Sequence, residues 1–269
     1  MKIIRYKELD NQKVTALWNE AFLDYSIPIQ MTVEGLNNRL KSFGLSPEDS
    51  LIAISDENQP IGILLTGSKV FNEQHIAWVG GMGVIPSFRK QGVAQKLLAK
   101  MEEEAKEKGV DQIKFEVIKS NDRARELYLG VGYIPLTTLG FYQAPLLNLT
   151  EEALVFCPSQ AVSEPDTTPW QNRFTFCQII EQICDKDETI GIIGYQESLS
   201  NEGVQGIVIR QLQLKNIENL SSVISALYKK YGEINCSWSN VDLATPLATE
   251  LTRLNITEEL VQLQLLKNL

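Results

Sequence analysis

The sequence lacks the features that mark membrane and secreted proteins. No apolar run approaches the roughly 20 residues that a membrane-spanning helix needs. The first ten residues, MKIIRYKELD, contain neither the long apolar core nor the small-residue cleavage site of a secretory signal. We therefore expect a cytoplasmic protein.

Cysteine and histidine are scarce. The four cysteines lie in the second half of the chain and form no C-x-x-C pair, and His75 is the single histidine. Zinc sites and disulfide frameworks need closely spaced sets of such residues. We expect no metal and no disulfide, and we expect buried free thiols at Cys157, Cys177, Cys184 and Cys236.

Positive charge is also in short supply. The net charge is −9 at pH 7, which argues against a nucleic-acid partner because phosphate binding requires a basic face. An acidic chain suits a cationic or amine substrate. With 269 residues, 43% of them hydrophobic and 22% charged, the composition is that of a soluble globular protein with room for two domains.

The most informative stretch runs from residue 78 to residue 133. Its centre is a strand, AWVGGMGV, followed by a basic turn, RKQGVA, and a helix over about residues 91–108. The first N–H groups of a helix have no internal partner, and the helix dipole favours negative charge there. Gly92 and Ala94 are small enough for a phosphate to approach the backbone. The turn therefore predicts an anion site.

Four motifs follow one another in this stretch. They are the turn RKQGVA after VIP, the strand KFEVIKS, the helix start NDRARELY and the dipeptide GY. In this order and spacing they resemble the GNAT acyltransferase superfamily over roughly residues 1–145. The resemblance implies an α+β fold, with a central, mostly antiparallel, splayed sheet flanked by helices, and it implies acetyl-CoA as co-substrate without a metal.

Three glycines in the strand before the turn, Gly80, Gly81 and Gly83, predict a bulge or a close approach to the backbone. The resemblance implies that this strand parts from its neighbour and that the pantetheine arm of acetyl-CoA lies in the gap. The implied cofactor contacts are Met82, Gly83, Val84, Arg89, Lys90, Gln91, Gly92, Val93, Ala94, Gln95, Lys96 and Asn121. Solvated turn positions are the alternative for the side chains of Arg89 and Lys90, and helix capping is an additional role for Asn121.

The resemblance also implies the catalytic groups. A backbone N–H near residues 82–84 would stabilise the oxyanion, and Tyr128 would protonate the leaving thiolate, since a phenol with a pKa near 10 is protonated at neutral pH. Packing of Tyr128 on the sheet is the alternative. For the base, Glu116 is a candidate, while Glu73 lies just before the strand and His75 at its start; a water chain or an already neutral amine would also serve.

The resemblance implies that the segment of about residues 20–45 lines the acceptor cleft, with the final strands and the second domain as further contributors to specificity. Tyr25 and residues 27–29 are candidates for the lining, and simple coverage of the sheet is the alternative. The sequence does not select one amine.

The second half replays the order of elements in the first. The elements follow in the same order as in the first half: strands at 189–195 and 205–214, a helix at 217–231, the strand EINCSWSN, the stretch 244–254 and a final strand. We expect a GNAT domain at 1–148, a linker at 149–170 and a degenerate GNAT-like domain at 171–269, in which NIEN replaces the basic glycine turn. An unrelated α+β domain is the alternative.

The predicted function is acetyl-CoA-dependent N-acetylation of a primary amine on a small molecule or peptide. A non-catalytic CoA-binding sensor or scaffold is the main alternative, and a structural protein is a further one. No nucleic-acid or membrane partner is expected, and a homodimer is compatible with the sequence.

Overall fold

The structure is a computed structural model that describes residues 1–25, 27, 29–150, 154–160, 162–201 and 203–269. These residues divide into two compact units. Unit 1 comprises Met1–Phe115, Arg123–Ile134 and Leu265–Leu269, and unit 2 comprises Glu116–Asp122 and Pro135–Gln264. Each unit contains both helices and a sheet, as the predicted α+β class requires.

Unit 1 is built on a sheet in which consecutive strands are neighbours. The strands are β1 (Lys2–Arg5), β2 (Leu51–Ile54), β3 (Pro60–Phe71), β4 (Gln74–Val84) and β5 (Gln112–Ile118), whose residues after Phe115 are grouped with unit 2. The pairs from β1 to β4 are antiparallel, and β4 pairs with β5 in parallel. The predicted antiparallel meander is therefore confirmed.

Four helices accompany this sheet: α1 (Asn11–Ala21), α2 (Val33–Ser42), α3 (Val93–Glu107) and α4 (Asp122–Gly130). The first two begin where side chains cap them. Asp10 accepts a hydrogen bond from Lys13 N at 2.8 Å, and Thr32 accepts one from Gly35 N at 3.0 Å. The buried residues of α1 recur at helical spacing, which fixes the face that it turns to the core.

Unit 2 repeats the strand order of unit 1. Its elements are β6 (Ile134–Pro145), β7 (Val155–Pro158), β8 (Ile179–Asp185), β9 (Glu188–Ser200), β10 (Gly203–Leu214), α5 (Leu220–Tyr231), β11 (Asn235–Asp242), α6 (Pro246–Arg253) and β12 (Glu258–Asn268). The pairs from β7 to β10 are antiparallel, and β10 pairs with β11 in parallel. The elements predicted for the second half are therefore confirmed.

The chain crosses from one unit to the other at the start of β6 and again within β12. Residues 139–145 of β6 pair with β11 inside unit 2, whereas Leu265–Leu269, at the end of the chain, belong to unit 1. The compact units consequently differ from the predicted ranges 1–148 and 171–269, and β7 falls inside the predicted linker. The division of the chain into functional domains stays a prediction.

The end of the chain is anchored within unit 1 by polar contacts. Leu269 N donates to Asp111 O at 3.0 Å. Lys267 Nζ donates to Glu102 Oε2 and to Val131 O, each at 2.7 Å. The ammonium also lies 5.3 Å from the centroid of the Tyr133 ring, within the range of a cation–π interaction.

The cysteines and helices bear on two other expectations. All four cysteines are free. Cys236 is buried as expected, Cys177 and Cys184 are only half-buried, and Cys157 is exposed, so the expectation of a buried thiol is wrong at Cys157. Cys157 lies on β7, a strand with mostly exposed side chains, where the sequence predicted a linker. None of the helices in the described ranges combines the length and the apolar character needed to cross a membrane.

We expect Lys267→Met to destabilise the protein. The side chains of Lys267 and Glu102 are only 22% and 15% exposed, so the substitution leaves a shielded carboxylate without this donor, at a cost of about 1–3 kcal/mol. Urea unfolding should show a lower midpoint with an unchanged slope. Lys215→Met is the matched control, because its ion pair with Glu188 is exposed and such pairs contribute less than about 1 kcal/mol. Equal losses in the two variants would contradict this account.

Candidate active site

The strand β4 carries a bulge at Gly80. The neighbouring residues Leu65 and Thr66 of β3 pair with Gly81 and Val79, so Gly80 is the extra residue on β4. A bulge bends the strand and disrupts the ladder locally. The bulge that the glycines predicted is confirmed.

The glycines of β4 let helix α1 approach the strand backbone. A Cβ atom at Gly81 would lie 2.5 Å from the Trp18 ring, and one at Gly83 would lie 2.9 Å from the Phe22 ring. Real Cβ atoms essentially never come so close, so larger residues would push the helix away. On this face of the strand, the predicted close approach is made by aromatic side chains of the protein itself.

The strands β4 and β5 part soon after they meet. Their parallel pairing joins residues 76–78 to residues 112–114. In the described part of the chain, residues 79–84 continue with β3 as their partner on one side only, except at the bulge. The splayed strand that the resemblance implied is present in the structure. We call residues 79–84 the unpaired section of β4, because within the described ranges they have no partner strand on the β5 side. Met82, Gly83 and Val84 lie on this section and are half-buried.

The start of α3 has the geometry of an anion site. Gly92 is the N-cap residue in the left-handed conformation (φ +77°), with no side chain capping the helix, and the helix begins at Val93 rather than at the expected Gln91. Lys96 N donates to Gly92 O at 3.0 Å. The N–H groups of Val93, Ala94 and Gln95 precede the first intrahelical bond and have no partner within the helix.

The space beside Gly92 is open. A Cβ atom placed on Gly92 would meet nothing closer than Gln95 Oε1 at 3.5 Å. Lys90, two residues before Gly92, is exposed and also has a positive φ of 62°. Gln91, which lies between Lys90 and Gly92, is exposed as well. The helix dipole, the open N–H groups and the cation of Lys90 together favour an anion.

The side chain of Arg89 lies against β4 and α1, and its role as a cofactor contact stays a prediction. Its Nε donates to Val84 O at 2.9 Å, and its Nη2 donates to Ala21 O at 3.0 Å and to Asp24 Oδ1 at 2.6 Å, while Nη1 donates to the other oxygen of Asp24. The hydrogen bond from Arg89 lowers the pKa of the Asp24 carboxyl group. Arg89 therefore joins the end of β4 to the end of α1 and is not a solvated turn residue.

Tyr128 is held on α4 by aromatic packing. Its ring centroid lies 4.3 Å from that of Phe115 and 6.2 Å from that of Tyr133. Burial raises the pKa of Tyr128, and the nearby Tyr25 raises it further. The hydroxyl group therefore keeps its proton at neutral pH. Packing and proton donation, which the sequence left as alternatives, are compatible in this position.

Two of the expected site residues, Glu116 and Asn121, are grouped with unit 2. Gln264 Nε2 donates to Glu116 Oε1 at 3.3 Å, and Asn121 N donates to Ile118 O at 2.9 Å. Their roles as base and cofactor contact stay predictions. His75 Nδ1 lies 3.2 Å from Gly109 O, and His75 Nε2 lies 3.1 Å from Ser68 Oγ. These contacts agree with the expected structural role at the start of the strand.

The loop after α1 is fixed at its far end. Trp18 Nε1 donates to Ile29 O at 2.9 Å, and Asn19 exchanges hydrogen bonds with the backbone of Met31 at 2.8 and 2.9 Å. The Tyr25 ring lies 5.5 Å from that of Phe22. Ser26 and Pro28, within the predicted acceptor wall, lie outside the described residues.

Sequence reasoning missed the roles of Trp18, Asp24 and Arg39 around β4. A signal for Trp18 was present, because Trp18 and Phe22 are one helical turn apart and therefore face the same strand. Asp24 and Arg39 gave no such signal, since a single charged residue does not name its partner. Among the described residues, no group of three or more His, Cys, Asp or Glu side chains could hold a metal ion.

Comparisons with known proteins agree with this geometry. Residues 11–133 match the model of the acetyltransferase (GNAT) family. An alignment over 108 residues, which covers 37% of this chain, shows 31% identity to a thialysine N-epsilon-acetyltransferase of Bos taurus. The chain spans 64% of that relative, which is less than two thirds of its length.

Solved structures share the fold over almost the whole chain. A GCN5-related N-acetyltransferase from Sphaerobacter thermophilus aligns with 99% of this chain and 95% of its own, at a TM-score of 0.71 and 12% identity. A tandem GNAT protein from the clavulanic acid biosynthesis pathway aligns with 99% of this chain and 98% of its own, at a TM-score of 0.65 and 10% identity. The bulged, splayed strand and the glycine turn both lie within residues 11–133, the segment that matches the acetyltransferase (GNAT) family.

Proposed function

We propose that this protein is an acetyl-CoA-dependent N-acetyltransferase that acts on a primary amine of a small molecule or peptide. The observation that carries the proposal is the uncapped start of α3 next to the unpaired section of β4. Arg89 Nε donates to Val84 O at 2.9 Å, which fixes the turn against the end of that strand. The expected cytoplasmic location is part of the same proposal.

The residues of this chain take distinct roles in the proposal. The N–H groups of Val93, Ala94 and Gln95 bind the pyrophosphate, and the backbone of residues 82–84 orients the pantetheine arm and the thioester carbonyl. Tyr128 holds a proton at its hydroxyl oxygen for the leaving sulfur. Acetyl-CoA, when bound, supplies the acetyl group. Glu116 and Asn121 stay in the proposal as base and cofactor contact, and a water chain is the alternative to Glu116.

The acceptor is an amine in this proposal for two reasons. The name of the Bos taurus relative specifies an ε-amine of an amino-acid side chain, which supports a small, lysine-like acceptor. The net charge of −9 favours a cation over an anion as substrate. A CoA-binding sensor without catalysis is less well supported, because it would not need a buried, protonated tyrosine.

We further propose that the second half of the chain is a degenerate copy that does not bind acetyl-CoA. In the 3-10 turn Ile217–Asn219 that leads into α5, Asn216 Oδ1 accepts a hydrogen bond from Glu218 N at 3.1 Å, so one N–H group of this turn already has a partner. The Glu218 carboxylate also lies in this turn, just before α5, where it disfavours a second anion.

Calorimetric titration with acetyl-CoA tests the cofactor site. We expect one site per chain in the wild type and binding weakened by about tenfold or more in Ala94→Glu, because a carboxylate in the first turn of α3 repels the pyrophosphate. Ala99→Glu, on an exposed position of the same helix, is the control and should bind normally. Two sites per chain would contradict the degenerate second copy, and absence of binding would contradict the proposed function.

Substitution of Tyr128 tests the proton donor. We expect Tyr128→Phe to lower kcat about 100-fold, the typical scale of general acid catalysis, and to leave acetyl-CoA affinity within about twofold. Because burial raises the pKa of Tyr128, its deprotonation should cause no loss of rate up to about pH 10. Rates are measured on a panel of primary amines that includes thialysine and lysine. Tyr133→Phe, in the same ring cluster, is the control; equal effects in both variants would assign Tyr128 to packing alone.

A further inference from the structure

We propose that Arg39 on α2 is a positioning residue for the bulged strand β4, and that Arg39 and Trp18 form a bracket between this strand and the loop after α1. The inference rests on the proposed function only in its consequence for catalysis. The bracket itself is argued from the contacts within unit 1.

The bulge leaves Gly80 without a paired residue on β3, so its backbone carbonyl needs a hydrogen-bond donor from elsewhere. Gly80 is the extra residue on β4 and is buried, and a buried carbonyl without a partner is costly. Arg39 Nη2 donates to Gly80 O at 2.6 Å. A guanidinium donor makes this a charge-assisted hydrogen bond, which is stronger than the backbone bond that the bulge removes from the ladder.

Aromatic rings hold Arg39 in place. Its guanidinium carbon lies 5.8 Å from the centroid of the Trp18 ring and 5.6 Å from that of Phe43. The planar guanidinium group stacks on such rings in a way that an ammonium group does not. The buried residues Leu36 and Leu40 fix the helix that carries Arg39. The donor is therefore aimed at Gly80 before any ligand binds.

Trp18 extends the bracket to the loop. Its ring occupies the space beside Gly81, where a Cβ atom would be 2.5 Å away. Its Nε1 donates to Ile29 O at 2.9 Å. One side chain thus contacts Arg39, the residue after the bulge and the far end of the predicted acceptor wall.

The bracket has a specific consequence for the proposed reaction. The residues that follow the bulge, 82–84, carry the backbone groups assigned to the pantetheine arm and the thioester carbonyl. Loss of the Arg39 hydrogen bond should let this section move, and catalysis that depends on preorganised donors should fall. Arg39 itself touches neither the reacting atoms nor the turn at Gly92 in this account, so acetyl-CoA affinity should change little.

Hydrogen exchange on the full-length chain tests the bracket without requiring activity. We expect Arg39→Met to speed exchange of the amides at residues 80–84 by about tenfold or more, with β1 and β2 unchanged. Arg39→Lys keeps the charge but loses the fork and the stacking, so it should fall between wild type and Arg39→Met. Lys41→Met, at an exposed position on the same helix, is the matched control.

A second variant separates the two ends of the bracket. Trp18→Phe keeps an aromatic ring but loses the bond to Ile29 O, so exchange should rise more at residues 29–31 than in β4. In the amine panel, Arg39→Met should lower kcat about tenfold or more while the acetyl-CoA dissociation constant stays within about twofold.

Three outcomes would overturn the proposal. They are exchange in Arg39→Met equal to that in Lys41→Met, a uniform rise across unit 1, and a loss of acetyl-CoA affinity in place of kcat. If Arg39→Met does not fold, Arg39→Lys against Lys41→Met decides the same question. Wild-type protein that binds no acetyl-CoA would refute the proposed function and leave the exchange result as the test of the bracket.

Discussion

The bulge at Gly80 is the constraint on which the rest of the site depends. Because Gly80 is an extra residue, the pairing register between β4 and β3 shifts at this point. The pairing of β4 with β5 ends at residue 78. The aromatic face of α1 then lies on the glycine backbone, with Trp18 against Gly81 and Phe22 against Gly83. The unpaired section leads into the turn at Gly92, so one local irregularity positions both parts of the proposed cofactor site.

The repeat of this topology in unit 2 shows which features belong to the fold and which belong to the chemistry. Unit 2 has the same order of strands, and β10 carries an irregularity at Arg210, between the pairs made by Ile209 and Gln211. In place of the glycine turn, Asn216 and Glu218 form part of the 3-10 turn that leads into α5. The bulged strand is therefore shared by both units, whereas the left-handed glycine N-cap belongs, among the described residues, to α3 in unit 1.

Much of this fold could be predicted from the sequence. Helices with capping residues, such as α1 after Asp10, and strands bounded by turns are local features, and the motif around Gly92 carried the resemblance to the GNAT superfamily. The assignment of β6 to unit 2 and of the end of β12 to unit 1 could not be predicted. The sequence pattern of a strand such as β6 is the same whichever unit it pairs in. The contacts of Arg89 were missed for a related reason: a motif names a residue but not its partner, here Asp24, which lies far away in sequence.

The central claim is that the chain has one site that binds acetyl-CoA, formed by the unpaired section of β4 and the start of α3. Amide NMR of the isotope-labelled full-length protein, titrated with acetyl-CoA, tests it most directly. The account predicts saturable shifts at residues 81–84 and 92–95 and none at residues 212–222, where unit 2 has the corresponding strand end and helix start. Shifts of equal size and affinity at both places, or none at residues 92–95, would contradict it.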